Sequence, residues 1–213
     1  MPTIDQIERL FTAHPAPSSP PAKQAAVILP LVTIGGQTHV LFQTRAHTLK
    51  KQPGETCFPG GHVEPFDNTL AHAAIRECTE ELGLAQTDIT MIAPLPKVEA
   101  PHQQLVIHPY LANIRDVHQI TIDPSEVADW FTIPLAYLLT NPPQIGHFNV
   151  TVEPAEDFPI EKIANQGGYI RRTYMLQEFF YTYKGRTVWG LTARILQQFL
   201  SHLQQEMTSS DHL

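Results

Sequence analysis

The sequence predicts an α+β fold, and three observations carry that expectation. Strand-like apolar runs and helical stripes are mixed rather than regularly alternating, which argues against a doubly wound sheet. A chain of 213 residues that is 42% hydrophobic can bury one sizeable core. No internal repeat or low-complexity tract interrupts it. One main domain over 23–206 is therefore expected, preceded by a helix and linker over 1–22 and followed by a tail over 207–213.

The elements follow in chain order. Thr3-x-x-Gln6 has the form of a capping box, and Ile4, Ile7, Leu10 and Phe11 make one apolar stripe, so a short helix opens the chain. His14 to Ala22, with four prolines and two serines, reads as a linker. Ala25 to Ile34, the Gly35-Gly36 turn and His39 to Thr44 predict a hairpin. Lys50 to Thr56 is loop-like. A helix is expected through Thr69–Glu81, closed by Gly83 at the left-handed position after its last turn. Ile89 to Ala93 and Leu105 to Ile114 read as strands, with Pro94 to Gln104 a loop within reach of the site. Pro134 to Leu139 predicts a short helix that Asn141-Pro142-Pro143 ends. A hairpin is then expected at Tyr169 to Met175 and Glu178 to Tyr183, turned by Lys184-Gly185. The last element is a helix from about Val188 to Gln205, with Leu191, Ile195, Phe199 and Leu203 facing the core.

Composition removes several classes of function. The net charge of −7 argues against a nucleic-acid backbone as main partner, because that partner calls for a basic face. Arg171-Arg172 and Lys50-Lys51 are short basic steps only. Two cysteines, Cys57 and Cys78, are too few for a disulfide scaffold and point to a reduced compartment. The eleven histidines are scattered without metal-ligand spacing, and none is assigned a role. No apolar run approaches membrane-spanning length, and Met1 to Leu10 is polar and acidic rather than signal-like, so a cytoplasmic location is expected.

The chemistry sits at Arg76, Glu77, Glu80 and Glu81. Helical spacing brings the three glutamates to one edge, where like charges repel. A hard divalent cation, Mg²⁺ or Mn²⁺, would resolve that repulsion, since both take carboxylate oxygens readily. Arg76 lies four residues before Glu80 and is placed to hold its carboxylate. Alone, such a string is usually a solvated helix face. Here it follows Phe58-Pro59-Gly60-Gly61, a turn whose glycines permit positive φ and close approach of backbone to a ligand.

The segment resembles the Nudix box, G-x₅-E-x₇-R-E-U-x-E-E-x-G-U with U a bulky aliphatic. Gly61, Arg76, Glu77, Glu80, Glu81, Gly83 and Leu84 match it. Cys78 stands at the first aliphatic position, one extra residue separates Gly61 from Arg76, and Glu64 and Asp67 stand where one early glutamate is expected. These departures resemble the coenzyme A pyrophosphatase branch, as does the preceding signature of Leu41, Arg45, Leu49, Gly54, Phe58, Pro59, Gly60 and Gly61. Similarity continues at Ser125-Glu126-Val127, Phe131-x-x-Pro134-Leu135 and Val188-Trp189-Gly190-Leu191-Thr192-Ala193, and covers Val27 to Leu203.

The resemblance implies a mixed β-sheet sandwiched between helices, an α/β/α arrangement, and metal-dependent hydrolysis of a nucleoside diphosphate derivative. Coenzyme A, cleaved to phosphopantetheine and adenosine 3′,5′-bisphosphate, is the first substrate it implies. ADP-ribose, a dinucleoside polyphosphate, or a sensing module without catalysis are the alternatives. Glu77, Glu80 and Glu81 would hold Mg²⁺ or Mn²⁺, a Gly60 or Gly61 carbonyl would add an oxygen, and Arg76 would orient the carboxylates. Glu126 is the remote acid implied as general base or extra ligand; the other reading is a helix-start acid stabilised by the dipole. Asp67 is a supporting acid or the N-cap of the box helix. Arg45, Lys50 and Lys51 offer charge for the coenzyme A 3′-phosphate, with Gly60 and Gly61 beside the substrate. The partner expected is a small nucleotide, with no nucleic acid and no membrane; a homodimer is left open.

Overall fold

The Gly35-Gly36 turn sets the first register of the sheet. In the computed structural model, which describes residues 3–13, 23–100, 103–165, 167 and 171–210, both glycines are left-handed, with φ of 57° and 78°. That is the backbone a two-residue hairpin turn requires. It joins β1 (Lys23–Ile34) to β2 (Gln37–Arg45) with Ile34 opposite Gln37. Upstream, α1 (Ile4–Ala13) starts at a reciprocal capping box: the Thr3 and Gln6 backbone N–H groups each donate to the other's side-chain oxygen. The Pro-rich linker expected over 14–22 lies outside the described residues.

The chain continues through β3 (Thr56–Cys57), β4 (Gly60–His62), α2 (Leu70–Leu82), β5 (Ile89–Pro94), β6 (Val98–Ala100) and β7 (Leu105–Ile114). It then forms β8 (Val127–Pro134), α3 (Leu135–Thr140), β9 (Gln144–Val152), β10 (Arg172–Tyr183), β11 (Arg186–Val188) and α4 (Gly190–Ser210). Eight strands make one mixed sheet along the path β3-β2-β1-β7-β5, with β4 also on β1, β6 on β7 and β8 on β2. Among the described residues only β1 and β7 run parallel, and β1 is buried almost continuously from Ala25 to Val32, as a strand covered on both faces must be.

Two apolar clusters cover those faces. Ala73, Ala74, Cys78 and Leu82 of α2 pack on Ile28, Val32 and Leu41. On the opposite face Ile195, Leu196, Phe199 and Leu200 of α4 pack with Leu29, Val40 and Phe42, and a three-stranded sheet, β11-β10-β9, joins them. Cys78 has no exposed surface, which explains a cysteine at an aliphatic position: it serves as a small hydrophobe.

Several expectations need correction. The loop expected over Pro94–Gln104 contains β6, drawn into the sheet by pairing with β7. No hairpin closes within 169–183 among the described residues: β10 runs unbroken through Gln177 and Glu178 because β9, not read from the sequence, pairs along it from Gln144 to Val152. Lys184-Gly185 does turn the chain, but into β11. Val188 therefore ends a strand, and α4 starts at Gly190. β8 was also not foreseen; it adds to β2 across seven register positions from His39↔Pro134 to Arg45↔Val127.

Candidate active site

The box helix is bounded at both ends by its own sequence. Thr69 caps the start, its Oγ1 accepting from the His72 N–H at 3.0 Å, and Gly83 closes the end at φ 63°. A Cβ at Gly83 would lie 2.2 Å from the Thr121 carbonyl oxygen. That approach lets the 121–123 loop finish the helix: Thr121 N–H donates to the Leu82 carbonyl and Asp123 N–H to that of Glu81. The loop runs directly on to Glu126, so the end of α2 also places the remote acid.

Arg76 spends its whole fork inside the site. Nε and Nη2 donate to the two Asp67 oxygens at 3.1 and 2.9 Å, and Nη1 donates to Glu77 at 2.8 Å and Glu80 at 3.1 Å. Asp67 is thus the anchor of Arg76. Since Thr69 caps the helix, the N-cap alternative for Asp67 is ruled out. These bonds hold the Asp67 carboxyl well below the usual carboxylate range.

Glu81 is 3% exposed and accepts from the Gly60 N–H at 2.8 Å. Burial pushes its pKa up from the ordinary 4.5 to about 7, against the pull of that N–H and of the Gln43 amide, with Glu77 and Glu126 adding repulsion. Glu77 is shifted upward too, first by burial and against Arg76, with Glu80 and Glu126 contributing. Gly61 sits on Glu77: a Cβ there would lie 2.3 Å from its Oε2. Glu80 lies at the exposed edge, tied in through Arg76.

Glu126 is exposed in the turn before β8, a strand, so the helix-start reading does not hold. Its carbonyl accepts from the Ala46 N–H at 2.8 Å, beside the irregularity in the β2–β8 register between Thr44 and Arg45. Bulges of this kind re-aim side chains near sites. Arg45 lines a pocket of ≈ 310 Å³ that also borders Gly60, Cys57 and Phe58, whereas Lys50 and Lys51 are exposed and do not form its wall. Gln43, 1% exposed with Oε1 unpartnered, was missed in sequence; its signal was a polar side chain inside an apolar strand.

The donor set suits a hard cation. The charges of Glu77 and Glu126 act on Glu81, and those of Glu80 and Glu126 on Glu77, while Arg76 is the cation already shared by Glu77 and Glu80. Among the described residues, no three His, Cys, Asp or Glu side chains already converge in a ligand-ready group, because Glu80 is turned to Arg76 and Glu81 to Gly60.

A stability effect follows. Glu81 binds its proton more tightly folded than unfolded, so its ionisation costs stability as pH rises from 4.5 to about 7, with no further loss above. With divalent ions chelated, the stability of the native protein is expected to fall relative to Glu81→Gln between about pH 5 and pH 8, by up to about 3 kcal/mol, read as a widening gap between their melting temperatures. Parallel melting curves across that range would contradict the buried, proton-hungry Glu81.

A mixed sheet between helices, with a glycine turn seated on a glutamate helix, is the architecture of one class of domain. The NUDIX domain model matches residues 22–151, and the chain belongs to that family. It is 33% identical over 177 residues to the human mitochondrial coenzyme A diphosphatase NUDT8, covering 81% of this chain and 66% of that protein. It is 32% identical over 133 residues to the mouse peroxisomal coenzyme A diphosphatase NUDT7, covering 62% of this chain and 55% of that one. A probable nudix hydrolase of Schizosaccharomyces pombe is 30% identical over 88% of this chain and 58% of its own length. The chain thus spans between 55% and 66% of the length of these three relatives. Among the described residues no helix is long and apolar enough to cross a membrane.

Proposed function

We propose that this chain hydrolyses the diphosphate bond of coenzyme A, giving phosphopantetheine and adenosine 3′,5′-bisphosphate, within one catalytic domain over 23–206. The observation that carries the reading is the seating of Glu77 and Glu81 beneath the Gly60-Gly61 turn, with Glu126 near enough to act on both through its charge. The names of two relatives support the choice of substrate.

Glu77, Glu80 and Glu81 would hold Mg²⁺ or Mn²⁺, which when bound offsets diphosphate charge and acidifies water. Asp67 fixes Arg76, and Arg76 fixes Glu77 and Glu80, so the carboxylates are set before substrate arrives. The Gly60 N–H holds Glu81 in its buried position. Glu126, exposed and free to approach substrate, takes the proton as water attacks one phosphorus and the second phosphoryl group leaves. Arg45, pinned by its Nε–H donating to the Lys51 carbonyl at 3.4 Å, lies on the wall that runs to Gly60 and so faces the diphosphate. Lys50 and Lys51, on the exposed loop, are assigned to the 3′-phosphate. The proposal places the enzyme in the cytoplasm, although two relatives are peroxisomal and mitochondrial by name.

These assignments separate by kinetics. Arg45→Ala is expected to raise KM for coenzyme A and for 3′-dephospho-coenzyme A alike, by about tenfold, because both carry the diphosphate. The Lys50→Ala, Lys51→Ala double variant is expected to raise KM for coenzyme A by a larger factor, with the difference shrinking at high salt. A selective loss on coenzyme A with Arg45→Ala would move the 3′-phosphate to Arg45.

A further inference from the structure

The pocket beside Gly60 extends away from the glutamate helix to the other face of the sheet, where it is closed by β10 and the start of α4. Its charged lining is Arg45, Glu55, Glu178 and Arg194, two of each sign. Arg194 is already engaged, its Nη2 donating to Glu178 Oε1 at 3.1 Å, and Glu178 is 7% exposed. A second phosphate entering this space would find no surplus positive charge and would lie near the Glu55 carboxylate. Such a ligand would be desolvated against a balanced wall, which is costly.

The rest of the lining suits an uncharged chain. Val27, Leu105, Ile107, Leu191 and Ile195 supply aliphatic walls, and Gln52 and Gln103 bring side-chain amides with both donors and acceptors. A flat base is less well served: Trp189 lines the pocket but stacks on Phe180 at 6.1 Å with 3° between the rings, so one of its faces is taken. Cys57 sits in the same wall as a neutral thiol, pushed up to about 11 by burial, so it stays inert toward a thiol ligand. A volume of ≈ 310 Å³ is at the small end of the range for small-molecule sites.

From this juxtaposition of a charge-balanced, aliphatic and amide-bearing pocket with the glycine turn, we propose that it holds the uncharged pantetheine arm of the substrate, leaving the adenosine outside. The assignment rests on the coenzyme A reading for the identity of the arm. It deepens that reading by making the arm, rather than the nucleoside, the enclosed part of the substrate. The diphosphate then lies at the pocket mouth by Gly60, next to the residues assigned to it.

The test uses free pantetheine, which has no phosphate and needs no turnover. Titration calorimetry is expected to show millimolar binding to the native protein, at least tenfold weaker binding to Leu191→Trp, and about threefold weaker binding to Phe148→Ala. Leu191 is partly buried against the core, whereas Phe148 is 52% exposed at the pocket edge, so the second variant reads the pocket even if the first fails to fold. Adenosine 3′,5′-bisphosphate binding is expected to be the same in all three proteins. No pantetheine binding to the native protein, equal binding to native and variant proteins, or loss confined to adenosine 3′,5′-bisphosphate would each overturn the proposal. If pantetheine binds as expected while coenzyme A is not cleaved, the catalytic reading fails and the pocket stands.

Discussion

Replacing Glu81 by Gln is expected to lower turnover at least a hundredfold, on the order of 3 kcal/mol of transition-state stabilisation. The substitution keeps the shape of the side chain and removes its charge. Glu81 is the most buried of the three helix carboxylates, is held by the Gly60 N–H, and carries a pKa raised to about 7 by burial. Keeping a carboxylate there costs stability, so Glu81→Gln is expected to melt higher than the native protein when divalent ions are chelated. Loss of activity beside a gain in stability is the signature of a residue retained for function. It also removes unfolding as an explanation. Near-normal turnover in this variant would remove Glu81 from the chemistry.

The two glycines of the turn are expected to fail in different ways. At Gly60 a Cβ would lie 2.5 Å from both the Ala26 carbonyl oxygen and the Val27 Cα, backbone atoms of β1 that have no room to yield, and φ is 149°. Gly60→Ala should therefore cost about 2–3 kcal/mol and lower the melting temperature by roughly 5–10 °C. At Gly61 the atoms met are the Glu77 carboxylate, the far end of a side chain that can swing aside. Gly61→Ala should fold normally and lose at least tenfold in turnover, about 1.4 kcal/mol, because Glu77 is displaced from its place beneath the turn. A native-like melting temperature for Gly60→Ala, or full turnover for Gly61→Ala, would contradict this division of labour.

What was legible in the sequence was local. Gly35-Gly36, Thr69 to Gly83 and the Asn141-Pro142-Pro143 stop each act through their own neighbours, and the structure has the elements they imply. Asp67 was half legible: its sequence position matched an early acid, but its bond to Arg76 spans nine residues of turn and helix. The missed strands depend on partners far along the chain. Gln144–Val152 does alternate, with Phe148, Val150 and Val152 on one face and His147, Asn149 and Thr151 on the other, but that signal went unread beside its turn-forming Asn-Pro-Pro neighbour, and the strand is fixed by β10 farther along the chain. Val127–Pro134 is only partly buried and ends in proline, and is fixed by β2. The pocket could not be read at all, since β2, β10 and α4 each contribute to its wall from distant parts of the chain.

The central claim is that the glutamate helix and glycine turn cleave the diphosphate of coenzyme A with a divalent cation bound. A product-resolved assay of the purified protein, run with Mg²⁺ or Mn²⁺ on coenzyme A, ADP-ribose and a dinucleoside polyphosphate in parallel, tests it most directly. Phosphopantetheine and adenosine 3′,5′-bisphosphate are the expected products, formed fastest from coenzyme A and abolished by chelation. Preferred cleavage of either other substrate with coenzyme A left intact, or nucleotide binding with no product from any of them, would contradict it.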